Sequence, residues 1–317
     1  MFQMGTGLAA LGALSYCGLS RYITYKLVSV ALDRKMPRSS PTSRKWLSGC
    51  NCCEELLSTC DNAATYLQEG DCETVPLICK DGERLVGHLH RCPKPKRIIV
   101  AMHGWRSSWN RDFGLIDAFW HSTGCTVLYA EQRGQNNSGG KYMGFGLTER
   151  DDCLEWIGWI QKNFGKKIPI YLAGISMGAS TVLMAGGLEI PAQVRGIIAD
   201  CGFTSPYHIW EHVVEHNLHL SYKMRARLAD RLCRKRIQVG PQDYSTIEAM
   251  KTVKVPVLFI HGADDHFVPV QMTYENYNVC VAPKHLLIVP GADHGMSYLV
   301  DKKAYEGAIT SFWKAYD

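Results

Sequence analysis

Four turns in this sequence carry residues that could do acid–base or nucleophilic chemistry, and each turn follows a short apolar run. They read HGW at 103–105, GISMG at 174–178, HGADD at 261–265 and GADHG at 291–295. A serine hydroxyl is a weak nucleophile, so it needs a histidine to take its proton and an acid to orient that histidine. The last three turns supply these types in the order Ser176, Asp265, His294, which makes the three residues the candidate nucleophile, acid and base.

The glycines that flank Ser176 also have a chemical reading. A sharp turn from a strand into a helix leaves no room for side chains beside the serine, and Gly174 and Gly178 meet that requirement. The helix that starts after Ser176 presents its positive end to a developing oxyanion. The sequence therefore predicts the backbone N–H groups of Met177 and Trp105 as the oxyanion donors.

The elements that must position these turns form an α/β pattern. A hairpin signal around Asp81-Gly82 comes first. From about residue 95, apolar runs of strand length alternate with helical segments, the predicted strands being RIIVAMHG, TVLYAEQRG, PIYLAGIS, VRGIIADCG, VPVLFIHG and HLLIVPG. Runs without polar alternation indicate strands buried on both faces, hence a mostly parallel central sheet flanked by helices. Parallel strands end at one edge, so the four turns should meet there.

Residues of about 205–245 interrupt this alternation. They look wholly helical and polar, and an insertion that leaves a strand end can fold over the site as a lid. The sequence predicts that the pocket and the lid include His103, Trp210, His212 and His216.

The second half of the lid, residues 223–236, is rich in lysine and arginine. Met224, Leu228 and Leu232 recur at helical spacing. We expect this helix to dock that apolar stripe on the core and to turn its basic side outward. A solvated charged face is the simplest interpretation of the basic side, and attraction of an anionic substrate or of acidic lipid is the alternative.

From about residue 70 to its end the chain resembles the α/β hydrolases, and within them the bacterial serine hydrolases grouped with carboxylesterases and acyl-peptide-type serine peptidases. HGADDHFVP at 261–269 matches the acid turn of that family, H-G-x-x-D-x-x-V-P, which assigns the acid to Asp265 and not to Asp264. GADHG matches the histidine turn, and SGGKYMGFGLTERDD at 138–152 resembles a stretch of a branch whose members carry an N-terminal helix. One departure is EQRGQNNS at 131–138, where the family usually has D-x-R-G-x-G-x-S.

The resemblance implies an α/β-hydrolase domain over residues 71–317, preceded by an N-terminal helical extension and linker over 1–70. It implies a serine hydrolase that cleaves a carboxylic ester or amide through an acyl-enzyme, with ester chemistry favoured and with neither metal nor organic cofactor. An acyltransferase or a serine aminopeptidase with the same triad is the alternative. A hydrolase-like binding protein is disfavoured because every triad position is present.

A rival of another class lies in the lid, where HVVEH at 212–216 has the H-x-x-E-H pattern of a zinc peptidase with Glu215 as its base. It is disfavoured because no third ligand is evident and because it leaves the four turns unexplained. A second cluster, CNCCEELLSTC, lacks paired C-x2-C spacing, so it favours free thiols over zinc; its cysteines are Cys50, Cys52, Cys53 and Cys60. Several of the 13 cysteines lie inside apolar runs, and a chain this long without paired spacing does not suggest a disulfide framework, so we expect a reducing compartment.

Composition and the N-terminus limit the partners and the location. The net charge of +5 is mild, and no nucleic-acid module is recognisable. Residues 1–20 carry no charge, and Arg21 then interrupts a stretch too short and too glycine-rich for a typical span. We expect a helix pair that packs on the domain or lies peripherally on a membrane, with a spanning anchor as the alternative. The expected location is the cytoplasm, and the expected substrate is a small ester or amide with an apolar acyl or aryl group.

Overall fold

A computed structural model describes residues 3–36 and 54–317 of the chain. The N-terminus forms one continuous helix, α1 (Gln3–Leu32), so the expected helix pair is wrong. Its glycines lower helix propensity, but it contains no proline to end the helix. Residues 37–53 of the predicted extension and linker lie outside the described residues, and so do the first three cysteines of the CNCC cluster. Within the described residues, no helix combines the length and the apolar content that crossing a membrane requires.

The predicted hairpin is present as β1 (Cys72–Ile78) and β2 (Arg84–His90), which pair antiparallel. The carboxylate Oδ1 of Asp81 accepts the N–H of Glu83 at 3.1 Å, and Gly82 has φ 86°. A left-handed φ of this kind favours glycine, and the aspartate closes the turn on its own backbone.

The eight strands form one sheet in the order β1-β2-β4-β3-β5-β6-β7-β8. Strand β2 runs antiparallel to β1 and β4, and all the other neighbours are parallel, which confirms the predicted sheet. The remaining strands are β3 (Arg97–Met102), β4 (Cys125–Glu131), β5 (Ile170–Ile175), β6 (Val194–Asp200), β7 (Val257–Gly262) and β8 (Lys284–Val289).

Helices cover both faces of this sheet. In β3, Ile98 and Val100 belong to one buried cluster and Ile99 and Ala101 to another, because successive side chains of a strand point to opposite faces. The helices after α1 are α2 (Glu54–Glu69), α3 (Trp109–Ser122), α4 (Glu149–Phe164), α5 (Met177–Gly186), α6 (Pro206–His212), α7 (Ala226–Ile237), α8 (Thr246–Met250), α9 (Val270–Val279), α10 (Ser297–Val300) and α11 (Lys302–Tyr316).

The lid segment differs from its prediction as a wholly helical, polar stretch. It contains α6, a short π-helix (Val213–Asn217) and α7, with turns between and after them. Ile209, Trp210, Val214 and Tyr222 are buried in a third apolar cluster. These apolar residues are scattered among charged ones, so the segment looks polar in sequence although many of its side chains are buried.

The predicted docking stripe of α7 is only partly correct: Leu232 packs against the third apolar cluster, but Met224 does not. Met224 is 64% exposed and lies in the turn before the helix. The buried stripe is Arg225, Ala229 and Cys233, one position further along the chain. A basic residue therefore faces inward.

Helix α1 packs on α7 and closes the third cluster with Val28 and Leu32. The guanidinium of Arg236 forms an ion pair with Asp33 at 2.6 Å and donates to the hydroxyl of Ser29 at 2.9 Å. The side chain of Arg236 is only 7% exposed, so this pair is largely shielded from water. The end of α1 thus contacts α7, although the paired residues are 203 positions apart in the sequence.

Candidate active site

Ser176 lies between β5 and α5 in a strained conformation, with φ 55° and ψ −117°. A Cβ on Gly174 would collide with the backbone of Gly178, and a Cβ on Gly178 would collide with the carbonyl oxygen of Met102. Both glycines are therefore required by close approach of the backbone. A non-glycine residue at positive φ is unfavourable, and the close packing on both sides holds the serine there.

The structure brings Ser176 together with the other two candidate catalytic residues. Nε2 of His294 lies 2.9 Å from Oγ of Ser176, and its Nδ1 lies 2.7 Å from Oδ2 of Asp265. With the proton on Nδ1 donated to the carboxylate, Nε2 is free to accept the hydroxyl proton of the serine. This is the geometry that general-base activation of a hydroxyl needs.

Asp265 is held from four sides. Its Oδ1 accepts the N–H groups of Phe267 at 2.9 Å and Val268 at 2.8 Å, and its Oδ2 also accepts from Nε2 of His261 at 3.0 Å. Burial by itself would raise the pKa of this carboxyl, but the two histidines and the two N–H groups hold the pKa well below its usual range. The side chain is fully buried, whereas Asp264 is exposed, so Asp265 is the carboxylate aimed at the histidine.

The imidazole of His294 has a correspondingly shifted pKa. Burial disfavours its charged form, but the carboxylate of Asp265 outweighs burial and raises the pKa well above its usual value. Burial in turn raises the pKa of Cys201 to about 11, so this thiol stays protonated. The site therefore stabilises an imidazolium, the state that His294 must pass through as a base.

Two backbone segments border Ser176 where an oxyanion would form. Met177 is the first residue of α5, and N–H groups in the first turn of a helix have no partner within the helix. On the other side, a Cβ on Gly104 would lie 3.5 Å from Cβ of Ser176, so the segment with Gly104 and Trp105 touches the serine. The predicted donors, Met177 and Trp105, thus lie on either side of the nucleophile.

Side chains hold the backbone on both sides of Trp105. Oδ2 of Asp112 accepts the N–H of Gly104 at 2.6 Å, and Oε1 of Gln135 accepts the N–H of Arg106 at 2.5 Å. Gln135 belongs to the EQRGQNNS loop that departs from the family pattern. The departing loop thus supplies one of the two contacts that orient this peptide, which is the preorganisation that charge stabilisation requires.

Helix α1 anchors the same segment from outside. The indole N–H of Trp105 donates to the carbonyl of Ala31 at 2.9 Å. The guanidinium of Arg106 donates to the carbonyls of Val30 at 2.7 Å and Asp33 at 2.6 Å. These bonds satisfy carbonyls at the end of a helix that have no partner within it.

His103 does not lie in the pocket, contrary to its prediction. It is fully buried; its Nδ1 donates to the carbonyl of Gly104 at 2.8 Å, and its Nε2 accepts the N–H of Gln132 at 3.1 Å. Burial lowers the pKa of His103, which keeps it neutral. Its role is to fix the turn that carries Trp105.

A cavity of about 100 Å³ reaches Ser176. Helix α1 forms one wall and the lid another, and the lining is almost entirely apolar. The lining residues are Thr24, Leu27, Val28, Val30, Ala31, Trp105, Phe145, Ser176, Phe203, Ile209, Trp210, Val213, Val214, Asn217, Leu218, Tyr222, Arg225, Ala229 and Phe267. The predicted pocket residue Trp210 is among them, whereas His212 and His216 are not.

The HVVEH motif has its own local bonding. The rings of His212 and His216 stack with centroids 4.5 Å apart, and the carboxylate of Glu215 accepts the N–H of Tyr222 at 3.1 Å. Among the described residues, these three side chains do not bring three ligand atoms to one point. The motif therefore lacks the geometry of a zinc site.

Sequence reasoning missed several contributors to the site. His261 and Cys201 contact Asp265 and His294, and Asp112 holds the segment with Gly104 and Trp105. The strand ends IHG and ADCG carried a signal for the first two, since both place a titratable residue at the same sheet edge. Asp112 lies inside α3, where nothing in the local pattern separates it from a surface acid.

Known proteins resemble this chain over the same elements. The family model described as serine aminopeptidase, S33, matches residues 93–245, which include the serine turn and the lid but end before Asp265 and His294. The uncharacterized protein YqkD of Bacillus subtilis is 28% identical over 193 residues, 60% of this chain and 62% of YqkD. The chain thus spans a little over three fifths of that relative's length. The uncharacterized protein YfhR of Escherichia coli K12 is 24% identical over 235 residues, 70% of this chain and 73% of YfhR.

Solved structures share the fold. The Pyrococcus furiosus esterase Pf2001 superimposes with a TM-score of 0.65 at 20% identity, over 88% of this chain and 97% of the esterase. An acylaminoacyl peptidase from Pyrococcus horikoshii gives a TM-score of 0.57 at 17% identity, over 77% of this chain and 40% of the peptidase. The sheet order, the flanking helices and these likenesses show that the chain has the α/β-hydrolase fold.

Proposed function

We propose that the protein is a serine hydrolase that cleaves a carboxylic ester through an acyl-enzyme. The observation that carries the proposal is the hydrogen-bonded line from Ser176 through His294 to Asp265, at 2.9 and 2.7 Å, at the mouth of an apolar cavity. Nucleophile, base and orienting acid are within reach of one another, and the cavity offers a place for the acyl group.

The proposed reaction has two halves. Oγ of Ser176 attacks the carbonyl carbon while its proton passes to Nε2 of His294, and the carboxylate of Asp265 stabilises the imidazolium. The N–H groups of Met177 and Trp105 bind the oxyanion. The tetrahedral intermediate collapses when His294 gives the proton to the leaving alcohol, and water then enters by the same path in reverse to release the acid.

The cavity favours esters over peptides. A peptide chain would bring several N–H and C=O groups into a lining that offers few polar partners, and each unpaired group costs free energy. The described lining also has no acidic side chain to hold the ammonium group that an aminopeptidase substrate carries. The family description keeps serine aminopeptidase as a second candidate, and acyl transfer to an alcohol or amine would use the same intermediate.

A fluorophosphonate probe tests the proposal directly. We expect the wild type to be labelled at Ser176 and to turn over p-nitrophenyl acetate and butyrate, and Ser176→Ala to lose the label and to lose turnover on the order of 10⁶-fold. Ser311→Ala, which changes an exposed serine on α11, is the matched control and should behave as the wild type. A folded Ser176→Ala variant with unchanged labelling and turnover would rule the mechanism out.

A further inference from the structure

The apolar cavity contains one feature that an apolar acyl group does not explain. Arg225 lines the cavity and is only 7% exposed. Its Nη1 donates to the carbonyl of Ser221 at 2.6 Å, but its Nε is buried without an acceptor. No carboxylate among the described residues forms an ion pair with it. A guanidinium stays charged in proteins, so this is a buried positive charge without a counter-ion.

Two neutral donors in the same lining are also without partners. The hydroxyl of Tyr222 and the indole Nε1 of Trp210 are buried and have no acceptor among the described residues. Tyr222 is 3% exposed and Trp210 is 8% exposed. Buried donors are nearly always paired in folded proteins, so three unpaired donors around one cavity indicate a missing acceptor.

The carboxylates that act on Tyr222 have partners elsewhere: Asp230 forms an ion pair with Arg234, and Glu211 accepts a hydrogen bond from Tyr207. The carboxylate of Glu215 is engaged by the N–H of Tyr222, on the backbone and not at the hydroxyl. Lys223 and Arg227, the basic neighbours of Arg225 in sequence, are exposed to solvent. Arg225 is thus set apart from the basic outer side of α7 by its burial, and its guanidinium is available to a group inside the cavity.

We propose that the acyl part of the substrate ends in a carboxylate that Arg225 binds, with Tyr222 and Trp210 as further donors. The inference rests on the proposed hydrolase function and names its substrate class: a half-ester of a dicarboxylic acid, apolar in the middle and anionic at the far end. The middle section contacts Val28, Ile209 and Val214, and the ester carbonyl meets Ser176. A buried charge-assisted contact distinguishes such a substrate from an equally long neutral one.

A pair of matched esters tests this. Ethyl hexanoate and monoethyl adipate have acyl chains of equal length and differ only in a terminal methyl or carboxylate. We expect the wild type to show a kcat/KM for monoethyl adipate about tenfold or more above that for ethyl hexanoate. Equal values, or a preference for the neutral ester, would overturn the proposal whether or not any variant folds.

Variants assign the preference to its residue. Arg225→Met should lower kcat/KM for monoethyl adipate by about ten- to a hundredfold relative to kcat/KM for ethyl hexanoate, so that the preference for the anionic ester is lost. Arg227→Met removes an exposed charge from the same helix and should change neither. Arg225→Lys should keep part of the preference, because lysine retains the charge without the planar donors. An Arg225→Met enzyme that melts at a lower temperature but keeps the preference would make Arg225 a purely structural residue.

A binding experiment separates this inference from the hydrolase proposal. In the Ser176→Ala background, calorimetry should show that hexanoate binds more tightly than 1-hexanol, and that Arg225→Met removes the difference. If neither ester is turned over but hexanoate binding depends on Arg225, the hydrolase proposal fails and the anion site stands. If both esters are turned over equally and hexanoate binding ignores Arg225, the anion site fails and the hydrolase proposal stands.

Discussion

The floor and the roof of the cavity are built in different ways. The floor consists of the turns after β5, β7 and β8 that carry Ser176, Asp265 and His294, each within a few residues of its strand. The roof consists of residues 18–34 and 206–237. These two segments are in contact, although Asp33 and Arg236 are 203 positions apart in the sequence. The floor depends on local turn chemistry, whereas the roof depends on distant contacts. The floor should therefore decide whether a bond is cleaved, and the roof which molecule is cleaved.

The largest effect short of removing the nucleophile is expected at the acid. Asp265→Asn keeps the shape of the side chain but presents an N–H or a neutral oxygen to His294, which favours the wrong tautomer. We expect kcat to fall by roughly 10³–10⁴-fold, measured on p-nitrophenyl butyrate.

Asp264→Asn is the matched control, because this neighbour is exposed to solvent. Its kcat should stay within a factor of about two of wild type. The reverse ranking would show that the acid turn is displaced by one residue and that the floor is not built as described.

The pH profile sharpens the same contrast. His294 accepts a proton only when neutral, so kcat/KM should rise with pH through the pKa of His294. Asp265 helps to raise that pKa above its usual value, so the rise should lie above the pH at which an ordinary histidine titrates. In Asp265→Asn the residual activity should rise at lower pH, because the stabilising charge is gone. If kcat/KM rises at the same pH in both enzymes, the titrating group is not His294.

Substitutions in the roof should change KM and the free energy of unfolding, and should hardly change the rate of the chemical step. Arg236→Met breaks the shielded pair with Asp33 and should lower the free energy of unfolding by about 1–3 kcal/mol. It should raise KM for ethyl hexanoate severalfold, while kcat for p-nitrophenyl acetate stays near wild type.

Arg234→Met provides the comparison within the same helix. Arg234 is 46% exposed and binds Asp230 and Asp243 on the surface, so its loss should lower the free energy of unfolding less than Arg236→Met does and leave KM unchanged. Arg236→Met could also lower kcat for p-nitrophenyl acetate by the same factor by which it raises KM for ethyl hexanoate. In that case the roof affects the chemical step as well as substrate binding, which contradicts the division between floor and roof.

The smallest effect is expected at the two histidines of the HVVEH motif. His212→Ala combined with His216→Ala should leave kcat and KM within about twofold of wild type, because neither residue lines the cavity. A chelator should have no effect on turnover. Inhibition by the chelator that added zinc reverses would favour the metallopeptidase interpretation of HVVEH instead.

The floor was predictable because its information is local. A glycine is needed where the backbone passes Met102, and the acid and the histidine follow buried strands at fixed short distances. The sheet and its helices followed from apolar runs of strand length in the same way.

The roof was not predictable by the same reasoning. Two sets of residues on or just before α7 have the same helical spacing. One is Met224, Leu228 and Leu232, which hydrophobicity alone favours as the buried stripe. The other is Arg225, Ala229 and Cys233. The second set is the buried one, because Ala229 lines the cavity and Cys233 belongs to the third apolar cluster. His103 fails for a related reason: its position after a strand was correctly recognised, but its hydrogen bond to Gln132 depends on a loop that no local pattern describes.

The bonds that tie α1 to the oxyanion segment end on main-chain oxygens of Val30, Ala31 and Asp33, and not on their side chains. The attachment is therefore indifferent to which side chains those positions carry. Inward-facing positions of the helix, such as Leu27 and Val28, can be exchanged for larger or smaller residues while the catalytic peptide keeps its support. One short, continuous stretch of the chain can thus be varied to alter substrate range at little cost to turnover, which makes residues 24–31 the natural place to randomise in an engineering library.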